Sequence, residues 1–97
     1  MFRVYKVPVG FNEIVFSEVW IDPHYELKHG ESVNDELILE LLTQLGHQPQ
    51  IPQDELKGFQ FYEVDVSLHR RSYRLILVVP KDKSYLGVRN AYRRAIR

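Results

Sequence analysis

Apolar positions alternate with polar ones toward both ends of the chain and recur at helical spacing in between. Phe2, Val4, Val7 and Val9 predict a strand over 2–9, loosened by Pro8. Gly10–Asn12 reads as a turn, and Glu13–Ile21 as a second strand with Ile14, Phe16 and Glu18 on one face, so the pair suits a hairpin. Asp22 suits a helix N-cap, Pro23 the first helical position, and Glu26 completes a capping-box pattern. That short helix is expected to stop at Gly30. A longer helix should begin at an N-cap, Ser32. It carries Val33, Leu37, Ile38, Leu41, Leu42 and Leu45 as one apolar stripe as far as Gly46. Asp35, Glu36 and Glu40 then fall on its solvated side.

His47–Lys57, with Pro49, Pro52 and Gly58 at its far edge, reads as a loop. Three strands close the chain. Phe59–Val66 places Tyr62, Val64 and Val66 on one face, and Tyr73–Val79 is apolar on both faces after Arg74, as in a central strand. Tyr85–Tyr92, if regular, places Tyr85, Gly87, Arg89 and Ala91 on one face. The expected order is ββ-α-α-βββ, a single α+β domain over 1–97. Its small antiparallel β-sheet carries one long and one short helix packed on one face. Such a sheet leaves an edge strand, and Phe2–Val9 or Tyr85–Tyr92 is expected to pair across a homodimer.

Composition narrows the classes. A chain of 97 residues, 44% hydrophobic, has room for one core. Without cysteine, it has no disulfides, thiolate catalysis or cysteine-built zinc site. The longest apolar run, Leu75–Val79, is far shorter than the roughly 20 residues of a membrane helix. The opening MFRVYKVPVG lacks the apolar stretch of a secretion signal. A soluble, cytoplasmic protein with no membrane partner is expected.

The formal net charge is zero, but the signs are segregated. Residues 1–68 hold twelve acids against four bases, and residues 69–97 hold nine bases against Asp82 alone. The nine are Arg70, Arg71, Arg74, Lys81, Lys83, Arg89, Arg93, Arg94 and Arg97. Such a basic third suits a polyanion or an acidic protein partner, or faces the acidic helix within the molecule.

His24 and His29 lie five apart, a spacing that does not put two metal ligands on one helix face, and no metal site is expected. The scattered glycines form no phosphate-cradling loop, so no cofactor is expected either. His24 does share a face with Lys28, and Tyr25 with His29, which suits proton transfer or phosphate binding. Lys28 and His29 equally suit the negative end of the short helix. In the last third, arginines interleave with tyrosines: Tyr73, Arg74, Tyr85, Arg89, Tyr92, Arg93 and Arg94. Arginine forks bind phosphates and aromatic rings stack on unpaired bases.

The run Val19-Trp20-Ile21-Asp22-Pro23, then Lys28-His29-Gly30, then Ser32 opening an acidic amphipathic helix, resembles the small BrnT toxins. The ending, Arg74-Leu-Ile-Leu-Val-Val and Gly87-Val-Arg-Asn-Ala-Tyr-Arg-Arg, is similar to their closing strands. The likeness covers about residues 19–34 and 72–94. The first eighteen residues and the loop after the long helix are longer than those toxins usually show. BrnT toxins belong to the RelE-like toxin–antitoxin ribonucleases, so the resemblance implies metal-independent RNA cleavage by 2′-hydroxyl attack. It implies RNA, on or off the ribosome, and a cognate antitoxin protein as partners. On that reading Lys28 or His29 is the base or a phosphate contact, Arg74 and Arg89 are phosphate clamps, and Tyr92 or Arg93 lies near the leaving group. The alternative is a non-catalytic module of the same fold that binds RNA or protein through this face.

Overall fold

The computed structural model describes residues 1–46 and 49–95, so His47 of the expected loop and Arg97 of the basic set lie outside the described residues. Pro8 has no amide to donate to a ladder, and the first expected strand divides there into β1 (Arg3–Tyr5) and β2 (Val9–Phe11). The second divides at Ser17–Glu18 into β3 (Ile14–Phe16) and β4 (Val19–Ile21). Strands β2 and β3 make a separate hairpin through Asn12 and Glu13, both with left-handed backbones (φ 53° and 68°). A 3₁₀ turn (Pro23–Tyr25) runs into α1 (Glu26–His29), and α2 spans Asp35–Leu42. Strands β5 (Asp54–Leu56), β6 (Phe59–Leu68), β7 (Arg71–Pro80) and β8 (Leu86–Arg93) follow.

The α+β class and the last three strands agree with expectation, while the sheet is richer. It has six strands in the order β1-β4-β8-β7-β6-β5. Every pairing is antiparallel except β4 with β8, which run parallel. Strand β8 is therefore interior beside β4, the sheet's edges are β1 and β5, and of the two strands expected to pair between copies only β1 lies at an edge. Strand β5 lies within the expected loop, joined to β6 by left-handed Lys57 and Gly58. All three of its residues are exposed, so no apolar alternation marks it.

One face of the sheet carries the core. Val19, Ile21, Leu75, Leu77, Leu86, Val88 and Ala91 pack with Ile38, Leu41 and Leu42 of α2 and with Val9, Phe11 and Phe16 of the hairpin. Tyr73 belongs to this core rather than to a base-stacking surface. Helix α2 and the β2–β3 hairpin belong to this side, and the other face is left without them. Strand β8 keeps its apolar side chains inward by a bulge: Leu77 pairs with Val88 and Ile76 with Asn90, so Arg89 has no partner on β7. The bulge overturns the regular strand in which Arg89 and Ala91 share a face.

Helix α2 starts two residues later than Ser32 would set it. Val33 is drawn into the core, and the Asn34 side chain accepts the Leu37 amide proton at 2.8 Å as the N-cap. The helix ends at Leu42, where the Thr43 hydroxyl donates to the Glu40 carbonyl. Asp22 caps the 3₁₀ turn as expected, accepting from the His24 amide at 2.9 Å. Glu26 does not complete a capping box; it pairs with Arg3 at 2.9 Å.

Asp35 is the larger correction. Its carboxylate is not on a solvated side but receives Arg3 Nε (2.6 Å), Arg3 Nη2 (2.8 Å), the Tyr5 hydroxyl and the Tyr25 hydroxyl (2.7 Å). It ties β1, the 3₁₀ turn and α2 together. Burial alone raises its carboxyl, but those donors outweigh burial and hold it at about 2. Burial, and then the bond to Asp35, push the Tyr25 hydroxyl up.

Gly87 marks the tightest approach in the sheet. A Cβ there would lie 2.4 Å from Val78 Cγ1, beneath the ring of Tyr85. Gly87→Ala is expected to cost about 1–3 kcal/mol of stability, read by urea unfolding. Wild-type stability in that variant would show that Val78 moves aside freely.

Candidate RNA-binding face

The uncovered face is organised around β8 and the short helical segment beside it. The Asp22 amide donates to the Val88 carbonyl at 2.9 Å, extending the parallel pairing by one residue before Pro23 turns the chain. The 3₁₀ turn and α1 then run against the remainder of β8. His24 lines a shallow cleft of about 250 Å³ with Phe61, Ile76, Arg89 and Asn90. At the other end of the segment, the His29 ring lies 5.2 Å from the Tyr92 ring. One turn-and-helix of six residues, His24 to His29, thus sets two imidazoles against the strand that carries Arg89 and Tyr92.

The arginines differ in what they have left to offer. Arg89, projected by the bulge, is half exposed, and its only carboxylate among the described residues is Asp22, 3.8 Å away. Its fork therefore faces solvent beside His24. Arg74 is held by Asp65 (2.8 and 3.2 Å) and Glu63 (3.2 Å), and its guanidinium is pushed further up by the bonds to Asp65. Arg94 adds a second cation on Asp65, at 2.8 Å. The Asp65 carboxyl is lowered mainly by the Arg74 bond. Arg74 is thus the centre of a closed ion-pair cluster, with little donor capacity for a phosphate.

Aromatic side chains cross the same face one row away. Trp20 of β4 pairs with Gly87 of β8, and its indole stacks on Tyr85 at 4.0 Å and 7°. Phe2 packs against the indole at 5.9 Å. The indole N–H donates to Glu18, which also meets Lys6 at 3.1 Å. Glycine at position 87 leaves space for this stack to lie flat on the sheet.

Of the six residues singled out in the sequence, the structure brings His29 and Tyr92 together and sets Arg74 opposite Tyr92 in register. Arg89 is beside the other histidine. Lys28 is exposed, with no ion pair among the described residues. Arg93 alternates away from Tyr92 to the side of Tyr73 and lines a different cleft, with Arg70, Arg71 and Arg94. His24 was visible only as the face partner of Lys28, and Asn90 carried no signal, because the bulge that turns it toward His24 has no mark in the alternation.

Among the described residues, no three His, Asp or Glu side chains are grouped to hold a metal ion, and no helix is long and apolar enough to cross a membrane. No family model, curated protein or solved structure matches the chain.

Proposed function

We propose that this face binds single-stranded RNA and cleaves it without a metal ion, as a toxin of the BrnT-like, RelE-like kind acts. What supports this most is Arg89: an arginine set on a bulge, loosely paired, in a cleft shared with a histidine and an amide side chain. The ribose 2′-hydroxyl attacks the adjacent phosphorus while an imidazole takes its proton, forming the new P–O bond. The P–O5′ bond breaks, and an acid returns a proton to the leaving oxygen. His24 and His29 are the imidazoles this face offers for these transfers. Arg89 carries the charge that develops on the phosphorane oxygens, and the Trp20–Tyr85 stack takes a flanking base.

The test is incubation of the pure protein with single-stranded RNA in EDTA. Ends bearing 2′,3′-cyclic phosphate are expected from wild type. His24→Ala and His29→Ala should each reduce the rate by about 10²–10⁴-fold if each imidazole moves a proton. Cleavage unchanged in both variants would remove the histidines from the chemistry.

A second reading has its own support. Arg74 is neutralised, and exposed Phe2 and Val4 extend the Trp20 row to the sheet edge, as a surface covered by a partner protein would be. An antitoxin-like protein seated there would mask Arg89 and the stack together. Intact RNA in the EDTA experiment, with RNA still retained at low salt, would make a non-catalytic binding module the better account.

A further inference from the structure

The arginines that the cleavage reading does not use form a site of their own. Arg70, Arg71, Ser72, Arg93, Arg94 and Ala95 line a cleft of about 250 Å³ at the end of the sheet where β7 begins and β8 finishes. Its frame is rigid: the Arg94 amide donates to the Ser72 carbonyl at 2.8 Å, and Arg94 is pinned to Asp65. Arg70 sits in the left-handed turn between β6 and β7, next to His69, which turns away toward Glu40 at 3.6 Å. Among the described residues no carboxylate pairs with Arg70, Arg71 or Arg93. Three arginines without a carboxylate partner among the described residues line one cleft, a concentration of positive charge that favours an anion.

We propose that this cleft holds backbone phosphates of a single-stranded nucleic acid whose neighbouring segment lies over Arg89. The inference rests on the RNA reading of the open face and adds an anchoring site outside the reacting centre. Arg93 stands four residues beyond Arg89 on the same strand, roughly 13 Å along it at strand rise, and lies on the side of Tyr73, so a single strand that rounds the end of the sheet links the two. Arginine forks match phosphate oxygens two at a time. An acidic peptide fits less well, because the cleft has no apolar side chain larger than Ala95 on which a peptide could anchor. The acidic first two-thirds of the chain confines anion binding to this end rather than to the surface at large.

The probe is a fluorescent 2′-O-methyl RNA 12-mer, which lacks the attacking hydroxyl, titrated by anisotropy across a salt series. The variant is Arg70→Asn with Arg71→Gln; asparagine tolerates the left-handed turn, and an unchanged melting curve confirms the fold. Binding is expected to weaken on the order of tenfold at low salt, and the log–log salt slope to fall by about 1.4, roughly 0.7 per phosphate lost. Cleavage of an RNA dinucleotide, whose one phosphate is the scissile one, should proceed at the wild-type rate. Equal affinity and slope in variant and wild type would overturn the anchoring site while leaving cleavage at Arg89 standing. A slowed dinucleotide reaction would overturn it as well, by assigning the cleft to the chemistry. If wild type ignores the 12-mer but binds poly-glutamate through these arginines, the nucleic-acid assignment fails.

Discussion

Asp35→Ala is expected to destabilise the protein by about 3 kcal/mol, lowering Tm by roughly 10–20 °C in a domain of this size. Three side chains converge on that carboxylate, and one of them, Tyr25, is 1% exposed. Removing the acceptor leaves the buried Tyr25 hydroxyl desolvated without return, which costs more than the bond contributes while intact, while Arg3 keeps only Glu26. Asp35 also occupies the first turn of α2, where a negative charge favours the helix dipole. The pH dependence follows from the sign of the shift. The carboxyl is held at about 2 against an ordinary value of 3.8, so its contribution is complete above about pH 4 and is lost as pH falls toward 2. Asp35→Asn should therefore be markedly less stable than wild type at pH 6, with the gap closing near pH 2. A constant gap across that range, in denaturant melts, would show that the network does not depend on the charge.

Arg89→Ala is expected to lower single-turnover RNA cleavage by about 10²–10³-fold, roughly 2.7–4 kcal/mol of transition-state stabilisation. The fold should not notice. Arg89 is the unpaired residue of the bulge, and its nearest carboxylate stands at 3.8 Å. Arg74→Ala is the informative companion, since Arg74 joins Glu63 and Asp65 across β6 and β7. Its loss should disturb that cluster more than the rate. If the two variants are equally impaired in cleavage, the ion-pair cluster opens for substrate and Arg74 is a clamp after all. If neither is impaired, cleavage does not use this face.

Those two residues also show how far the linear pattern reaches. Long amphipathic runs were legible: Tyr62, Val64 and Val66, and Ile38, Leu41 and Leu42 of α2, announce themselves because burial repeats at the period of the element, although the helix is shorter than the stripe from Val33 to Leu45 predicts. Three-residue strands are too short to establish a period, so β1 to β4 merged into two and β5 vanished into a loop. Asp35 looked solvated because helical spacing reports which side faces α2's own core, not what β1 and Tyr25 bring to its first turn. The site was half legible for the same reason. Arg89, His29 and Tyr92 were found by residue type, whereas the pairing of His24 with Arg89 depends on a parallel contact between distant segments. Arg93 was assigned to the wrong neighbours because one extra residue in β8 decides which side each later side chain takes.

The parallel contact of β4 with β8 has a temporal meaning. A ribosome releases the chain amino end first, and β1 and β4 have no sheet to join until β8 has emerged. Hairpins β5–β6 and β6–β7 assemble from near neighbours, but the seam between Val19–Ile21 and Leu86–Val88 closes only across most of the chain's length. His24 reaches Arg89 through that seam alone. An unfinished polypeptide therefore carries His24 without the cleft itself, and whatever chemistry the face performs is withheld from the nascent chain until β8 has emerged.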